Sequence, residues 1–365
     1  MKNGVKAVLV LAAALGAAGA GMAIGGVAAG ALDEDSGIGN NWLARMLRQR
    51  TRSYVQVEQD VSSGDSDWGS YNAGDVFAWE SFGAEEEIQR IEVTADMADV
   101  IVRNADEFLA ADSAGGLSEV QEGAVAVRTC KKQGDQSELD MHAENGTLYV
   151  SAVYDGETFY QSNDDYPEIT LYLPAGVISQ LLITSETGDA DLAGTLQIGT
   201  LETHLGTGDI YVGNDIGNPV RVAEDAILSC EAGDIDAGTL ECMGDMQISM
   251  DIGDVDLMFA SLGGSLDLET GTGEVDMILP YAENGNNQSV YNYNLSTGVG
   301  TIACAEWDIY TGGGQGYHEE SGHEEHDNHY MQSGVGADLQ LTNNPGGSNI
   351  TVKCGVGDIS ISFGY

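Results

Sequence analysis

Residues 187–192 read TGDADL, and this phrase recurs in altered form along the C-terminal half of the 365-residue chain. Its later forms are TGDIYV at 207–212, AGDIDA at 232–237, IGDVDL at 252–257, TGEVDM at 272–277, TGVGTI at 297–302 and VGDISI at 356–361. The repeat glycines stand at 188, 208, 233, 253, 273, 298 and 357, which gives spacings of 20, 25, 20, 20, 25 and 59. A period near 20 residues is typical of a β-solenoid, in which each repeat forms one coil stacked on the previous one.

Apolar and polar residues alternate within each repeat. The third position before the repeat glycine holds Ser185, Leu205, Cys230, Met250, Thr270, Leu295 and Cys354. The fifth position holds Ile183, Thr203, Leu228, Ile248, Leu268, Tyr293 and Val352, and the second holds Glu186, Gly206, Glu231, Asp251, Gly271, Ser296 and Gly355. Because side chains alternate between the two faces of a β-strand, we predict that the third and fifth positions point into a core. The second position should face solvent.

The residue types favour strands over helices. Nothing in the repeats recurs every 3.6 residues, and 50 of the 365 residues are glycine, which disfavours helix interiors. The repeat glycines are expected at tight corners, where a positive φ is often required. We therefore predict an all-β fold, a single-stranded β-solenoid (β-helix-like) with coils of about 20 residues, preceded by an N-terminal hydrophobic helix.

The N-terminal region predicts export. Residues 7–32 contain no charged residue and are long enough to cross a bilayer, which requires about 20 apolar residues. Lysines precede this segment and three acidic residues follow it, which favours a cytoplasmic N-terminus and an extracytoplasmic body. We predict a signal or transmembrane anchor over residues 1–35. A cleaved signal peptide, with 29–31 (AGA) at the cleavage site, is an alternative. The inverted orientation is another, because arginines follow at 45, 48, 50 and 52.

Residues 36–87 are predicted to connect the anchor to the repeat domain. The stretch NWLARMLRQRTR at 41–52 would form a juxtamembrane amphipathic helix against anionic lipid, or else a plain basic linker. An acidic linker rich in glycine and serine follows. Strand-like runs then begin at 88–94 and 98–103 and continue at 124–130, 148–153 and 169–173, so the β-solenoid domain is predicted over 88–365.

The order of these features resembles a known family. IQRIEVTADMADVIVRN at 88–104 is followed by GTLYVSA at 146–152, ITLYLPAG at 169–176 and the series of TGD-type repeats. This arrangement resembles the bacterial putative-adhesin family, a domain of unknown function found in envelope proteins of Gram-positive bacteria. The resemblance implies a β-solenoid facing outward from a single membrane span, and it supplies no functional residues to carry over. The chain departs from the family pattern in an insert at 312–331.

The chain is strongly acidic. It has 13 lysines and arginines against 59 aspartates and glutamates, a net charge of −46, and six of the basic residues precede residue 53. Such a body should not bind nucleic acid, because phosphate binding depends on lysine and arginine. The charge is consistent with solubility and mutual repulsion of a surface protein, or with adaptation to salt.

A second interpretation of the acidic residues is cation binding. Five acidic residues follow the repeat glycines: Asp189, Asp209, Asp234, Asp254 and Glu274. In a solenoid they would stack about 4.8 Å apart and repel each other by about 1 kcal/mol per pair in water. A second acidic row, Asp191, Asp236, Asp256 and Asp276, would lie at the same edge. Since Ca²⁺ takes about six to eight oxygen ligands, these carboxylates could form a weak calcium site. The alternative is a solvated acidic surface.

The insert at 312–331 suggests a transition-metal site. It holds four of the six histidines, His318, His323, His326 and His329, among glutamates and glycines. Imidazole and carboxylate ligands suit Zn²⁺, but the histidine spacing is not that of a helical metalloprotease. The alternative is a solvated acidic loop.

The remaining patterns indicate no enzyme. The five cysteines are odd in number and widely spaced, with no CxxC pair, so they should behave as small buried apolar residues. No nucleophile, P-loop or dinucleotide motif is present. We therefore predict a non-enzymatic, exported, membrane-anchored surface module without a required cofactor, whose partner is a cell-surface protein or polysaccharide. A cation-binding or envelope-stress-sensing protein is the alternative, and a carbohydrate-active β-helix enzyme is the third hypothesis.

Overall fold

The computed structural model describes residues 76–82, 88–105, 124–131, 138–153, 166–213, 219–280, 290–305 and 329–364. These residues form twenty-two strands: β1 Val76–Phe82, β2 Arg90–Met97, β3 Asp99–Asn104, β4 Val125–Lys131, β5 Glu138–Glu144, β6 Thr147–Val153, β7 Glu168–Leu173, β8 Ile178–Thr187, β9 Ala190–Leu192, β10 Gln197–Thr207, β11 Ile210–Val212, β12 Val220–Val222, β13 Ala226–Ala232, β14 Ile235–Cys242, β15 Met246–Ile252, β16 Val255–Leu262, β17 Leu266–Thr272, β18 Val275–Pro280, β19 Asn292–Ala305, β20 His329–Leu341, β21 Asn349–Val356 and β22 Ile359–Gly364. The all-β prediction is confirmed for this part of the chain. The predicted N-terminal helix and the anchor at 1–35 lie outside it.

The strands stack in parallel along the sides of successive coils. What we call the first face has the strand order β5-β6-β2-β8-β10-β13-β15-β17-β21-β19-β20, and only its outermost pairs, β5–β6 and β19–β20, are antiparallel. The second face runs β1-β4-β7-β3-β9-β11-β14-β16-β18-β22 and ends on the second half of β19. A short third side joins β10, β12, β14 and β16. The repeat glycines lie where the first face turns into the second.

The predicted inward positions are all buried. Each residue at the third and fifth positions before a repeat glycine has a relative exposure of 4% or less. Leu228, Ile248 and Leu268 lie in one register on β13, β15 and β17, and they stack directly on each other in the core. Alternation of apolar and polar side chains therefore specified which side of each strand is buried, as expected for a period of two.

The stacking order departs from the sequence order at the C-terminal end. Strands β21 and β22 insert between the coil of β17 and β18 and the coil formed by β19. This insertion accounts for the spacing of 59 before the last repeat. It also corrects the alignment of residues 297–302: Thr297 pairs with Cys354, and Gly300, not Gly298, lies over Gly357. The predicted alignment was wrong by two residues, an even number, so the buried side was still assigned correctly.

The N-terminal end shows the same departure. Strands β2 and β3 lie between β6 and β7, which follow them in the sequence, and β8 and β9. Strand β1 lies within the predicted linker at 36–87 and pairs antiparallel with β4, so the sheet begins before residue 88. The prediction that each coil stacks on the one before it in the sequence is therefore wrong at both ends.

Small donors in the core bond to corner carbonyls of the neighbouring coil. The Cys230 thiol donates to Gly208 O at 3.1 Å, and the Thr297 hydroxyl donates to Gly357 O at 2.9 Å. All five cysteines are buried thiols, as predicted. Burial is the main cause that raises the pKa of Cys230 and of Cys242 to about 11, so neither is a nucleophile at neutral pH.

Two buried hydroxyls give a prediction about stability. Thr203 Oγ1 and Thr270 Oγ1 are buried and accept or donate no hydrogen bond. Replacing either threonine by valine keeps the shape and removes the cost of the unpaired hydroxyl, so each variant should unfold at higher denaturant, with a gain of about 1 kcal/mol. Thr297→Val is the control, because it loses a bond and should lose about 1 kcal/mol. If Thr203→Val and Thr270→Val lost as much stability as Thr297→Val, the conclusion that their hydroxyls make no hydrogen bond would be wrong.

Candidate functional site

A row of acidic residues follows the corner between the first and second faces. We call this row the corner ladder: Asp99, Asp189, Asp209, Asp234, Asp254, Glu274 and Asp358. Each of its six aspartates accepts a hydrogen bond through Oδ1 from a backbone N–H of the next coil. The bonds are Asp189 N to Asp99 Oδ1 (3.0 Å), Asp209 N to Asp189 (2.8 Å), Asp234 N to Asp209 (2.8 Å), Asp254 N to Asp234 (2.9 Å), Glu274 N to Asp254 (2.8 Å) and Thr301 N to Asp358 (2.6 Å).

The structure brings together the five predicted residues and adds one at each end. Asp99 was missed because it follows Ala98 instead of glycine, although it stands at the same place on its coil. Asp358 was missed because its coil is inserted out of sequence order. Its signal was present in the phrase VGDISI at 356–361, whose Gly-Asp pair matches the other corners.

The corner ladder has a structural function in each coil. A corner breaks the regular pairing of strands, so the N–H group that follows the glycine needs an acceptor. The aspartate of the preceding coil supplies it, and a charged acceptor makes a stronger bond than a neutral one. The short aspartate side chain therefore links consecutive coils at the place where the sheet turns.

Burial perturbs the ionisation of this ladder. The pKa of Asp189 is raised to about 6, mainly by burial and further by the charges of Asp209 and Asp191, against the lowering effect of its backbone hydrogen bond. The pKa of Glu274 is also raised, first by burial and then by neighbouring carboxylates. Tyr211 stabilises one carboxylate of the ladder, since its hydroxyl donates to Asp209 Oδ2 at 2.8 Å.

The pKa of Asp189 predicts a pH dependence of stability. Its pKa in the folded state lies above its ordinary value near 4, so the protonated form favours folding, and this contribution is lost as pH rises from about 4 to about 6. Asp189→Asn keeps an oxygen acceptor for Asp209 N without the charge. This variant should be more stable than the parent at pH 7 by on the order of 2 kcal/mol and should show a flatter stability profile between pH 4 and pH 6.

Thermal unfolding of the parent and of Asp189→Asn, measured at pH 7 and between pH 4 and pH 6, checks the prediction. The matched control is Asp251→Asn, which removes the same charge from an exposed position on the first face. If both variants change the profile equally, net charge and not the ladder position controls it.

The second predicted acidic row also stacks in register. On the second face, Asp191, Tyr211, Asp236, Asp256 and Asp276 occupy successive strands, and Ser360 follows them. At one end, Arg103 Nη2 contacts Asp191 Oδ2 at 2.5 Å and Nη1 donates to Asp191 O at 3.0 Å. One cation thus compensates the carboxylates at the N-terminal end of the row.

A third ladder lies at the corner that leads back to the first face. Asp245 N donates to Asp225 Oδ1 at 2.9 Å, and Ser265 N donates to Asp245 Oδ1 at 2.8 Å. Asn349 N continues the pattern by donating to the Ser265 hydroxyl at 3.0 Å. Sequence analysis missed this ladder, although its signal is the recurrence of short polar residues at 225, 245 and 265 with the same period of 20.

The metal predictions remain predictions. In the described ranges no group of three or more histidine, cysteine, aspartate or glutamate side chains is arranged to hold a metal ion. The ladder aspartates stack one per coil, and their Oδ1 atoms accept hydrogen bonds from backbone N–H groups. His318, His323 and His326 lie outside the described residues, and His329 begins β20. Neither Ca²⁺ nor Zn²⁺ binding is tested by this geometry.

The outer side of the first face offers a different kind of surface. Along one row, five serine and threonine side chains and one histidine occupy consecutive strands: Ser151, Thr94, Thr184, His204, Ser229 and Ser249. All are partly or fully exposed. At the β5 end, the rings of His142 and Tyr149 stack with centroids 5.2 Å apart, and His142 Nδ1 lies 2.8 Å from Asp140 Oδ2. These side chains form a flat polar surface on which neighbouring strands lie about 4.8 Å apart.

The end of the second face contains a buried ion pair. Arg128 Nη2 on β4 lies 2.5 Å from Glu168 Oε1 on β7, with both side chains less than 10% exposed. The Thr170 hydroxyl also donates to Glu168 Oε1 at 2.9 Å. Sequence analysis did not identify this pair, because an isolated arginine in a strand carries no signal of its partner.

The fold and the ladders define a class: an all-β solenoid-like domain whose coils are joined by hydrogen-bonded polar ladders. The family model for Toastrack DUF4097 matches residues 88–364. The chain therefore belongs to the Toastrack DUF4097 family, and the resemblance to the bacterial putative-adhesin family over 88–365 is confirmed.

Two solved structures are similar at low identity. A putative cell adhesion protein from Clostridium sporogenes is 14% identical, with a TM-score of 0.28, over 79% of this chain and 100% of its own. A putative adhesin from Bacteroides fragilis is 12% identical, with a TM-score of 0.37, over 78% of this chain and 97% of its own. No curated protein matches the chain. Among the described residues, no helix is long and apolar enough to span a membrane.

Proposed function

We propose that the chain is a non-enzymatic interaction module of the cell surface, exported and anchored in the membrane through residues 7–32. Its binding surface is the outer side of the first face, and its partner is a surface protein or a polysaccharide. The observation that carries this proposal is the polar row of Ser151, Thr94, Thr184, His204, Ser229 and Ser249, which presents five hydroxyl groups and one imidazole in one register over six strands.

The physical argument is one of shape and solvation. Stacked repeats create extended surfaces, which solenoids use for binding. Side chains as short as serine and threonine leave the sheet flat and lose little entropy when a partner covers them. Their hydroxyls donate and accept hydrogen bonds, which suits the hydroxyl groups of sugars and the polar groups of protein surfaces.

The location is tested in intact cells. Protease added from outside should digest the chain beyond residue 53, and fractionation should recover the undigested protein with membranes. Complete protection until the cells are lysed would contradict export and would favour the inverted orientation. Recovery in the culture medium, shortened at the N-terminus, would favour a cleaved signal peptide.

The binding surface is tested with bulky substitutions. Thr184→Arg and Ser229→Arg would each raise a long side chain from the polar row, so cells that display either variant should lose adherence to purified envelope polysaccharide and to envelope protein. Ser360→Arg is the matched control, since it adds the same side chain to the second face. Equal adherence of all three variants and the parent would overturn the assignment of the surface.

A further inference from the structure

Strand β20 forms one end of the first face. It spans residues His329–Leu341 and pairs with β19 along twelve residues, and within the described part of the chain β19 is its sole strand partner. Its centre is exposed: Val335 has a relative exposure of 87%, and no atom lies within 4 Å of a Cβ built at Gly334 or Gly336. A long open edge of this kind is a template for pairing with another strand.

The opposite end of the first face is protected by charge. Edge strand β5 carries Glu138, Asp140 and Glu144, all exposed. Charged side chains on an edge strand disfavour pairing with a further strand. Strand β20 is longer and carries one acidic residue, Asp338.

An apolar stripe leads to the open edge. We call it the C-terminal stripe: Ile252, Thr272, Val356, Val299 and Val335, which occupy one register on β15, β17, β21, β19 and β20. The four aliphatic members are exposed by 62%, 43%, 49% and 87% for Ile252, Val356, Val299 and Val335. Five strands place its ends about 19 Å apart at the usual strand spacing.

Glycines flank this stripe on both sides. Gly271, Gly355, Gly298 and Gly336 form one row beside it, and Gly273, Gly357, Gly300 and Gly334 form the other. On β8, β13 and β15, the first of these rows holds the exposed acids Glu186, Glu231 and Asp251 instead. From Thr272 to Val335 the stripe therefore has bare backbone on either side, whereas Asp251 lies beside Ile252 at the far end. Another protein can thus approach the β20 end of the stripe closely.

We propose that β20 pairs antiparallel with β20 of a second copy of this chain, joining two solenoids end to end about a two-fold axis. Strand β20 bends at Gly334 and Val335, which divides it into two arms. Leu339 and Ala337 point inward on the C-terminal arm. Gln332, which pairs with the buried Ile302, points inward on the N-terminal arm. The register that keeps inward residues facing inward sets Gln332 opposite Ala337 of the second copy, and Met331 opposite Asp338. The axis then passes between Gly334 and Val335, where the strand turns the corner.

A second copy suits this surface better than an unrelated partner. The two-fold maps one arm of the bent strand onto the other, so the bend that would obstruct a straight peptide is matched by the same bend in the second copy. The two stripes become one continuous apolar strip across the junction. Elsewhere the acidic surfaces of two copies repel each other, and β20, with Asp338 as its one acidic residue, is the favoured contact.

Sedimentation of the full-length chain in a neutral detergent tests the proposal. The parent should show a concentration-dependent dimer that strengthens as NaCl is raised, because salt screens the repulsion between the acidic bodies. Val335→Glu should weaken the dimer at least about tenfold, since it places like charges together at the junction. Val177→Glu, at a valine exposed by 52% and far along the chain from β20, is the matched control and should dimerise like the parent. A monomer at every concentration, or equal dimerisation of both variants, would overturn the proposal.

Disulfide trapping tests the register without relying on a destabilising change. In the double variant Met331→Cys and Asp338→Cys, mild oxidation should link two chains, because each new thiol faces its counterpart in the second copy. Either single variant should remain unlinked, and the five native cysteines, all buried, serve as an internal control. Linkage by the single variants equal to that of the double variant, or no linkage in any of them, would contradict this register and the two-fold that produces it.

Discussion

Replacing Gly253 by alanine should unfold or strongly destabilise the solenoid, by at least about 4 kcal/mol. Gly253 has a φ of 141°, and a Cβ built on it would lie 1.5 Å from Gly233 O of the preceding coil. The new methyl group cannot be accommodated by a side-chain rotation, because the obstructing atom belongs to the backbone. The two coils would have to separate, and the bond from Asp254 N to Asp234 Oδ1 beside them would be lost.

Two other glycines separate the causes. Gly346 has a φ of 88° but no atom within 4 Å of a built Cβ, so Gly346→Ala should cost about 1–2 kcal/mol for the backbone conformation alone. Gly176 has neither constraint, and Gly176→Ala should be nearly neutral. The midpoint of thermal unfolding should therefore be highest for Gly176→Ala, lower for Gly346→Ala and lowest for Gly253→Ala. Equal loss at Gly346 and Gly253 would show that backbone conformation, and not close stacking of coils, sets the cost.

Neutralising Glu168 should produce the second large loss. Glu168→Gln removes the negative charge that lies 2.5 Å from the buried Arg128 guanidinium, and breaking a buried pair in this way costs about 3–5 kcal/mol. The loss should appear as a lower midpoint in denaturant. The double variant Arg128→Met and Glu168→Gln removes the uncompensated charge as well, so it should recover most of the stability.

An exposed ion pair provides the matched comparison. Arg221 Nε lies 2.6 Å from Glu241 Oε2, but the Arg221 side chain is 51% exposed. Arg221→Met should therefore cost less than about 1 kcal/mol, since water screens the pair. A loss at Arg221 as large as that at Glu168 would show that burial does not control the contribution of these ion pairs.

The sequence predicted most of the fold because its signals are local and repeated. Alternation of residues such as Leu228 and Ser229 assigned each strand a buried side, and that assignment survived the two-residue error at Gly300. The corner ladder was recognised in part, since five of its members follow a glycine at nearly constant spacing. Asp99 could not be recognised in this way, because it follows an alanine. Asp358 does follow a repeat glycine, but its place in the stack depends on strands far away in the sequence.

What the sequence determined by itself is the coil: its length, its corner glycines, its inward and outward positions and its acidic character. Each follows from the period-two geometry of a strand and from the need of a corner for glycine and a polar acceptor. The tertiary structure alone decided the order of the coils, the insertion of β21 and β22, the pairing of Arg128 with Glu168 and, within the described residues, the place of β20 at the end of the first face. The coils present nearly identical edges to each other, so a local pattern specifies that they stack but not in which order. Only the packing of the whole chain selects which edge is covered and which remains exposed.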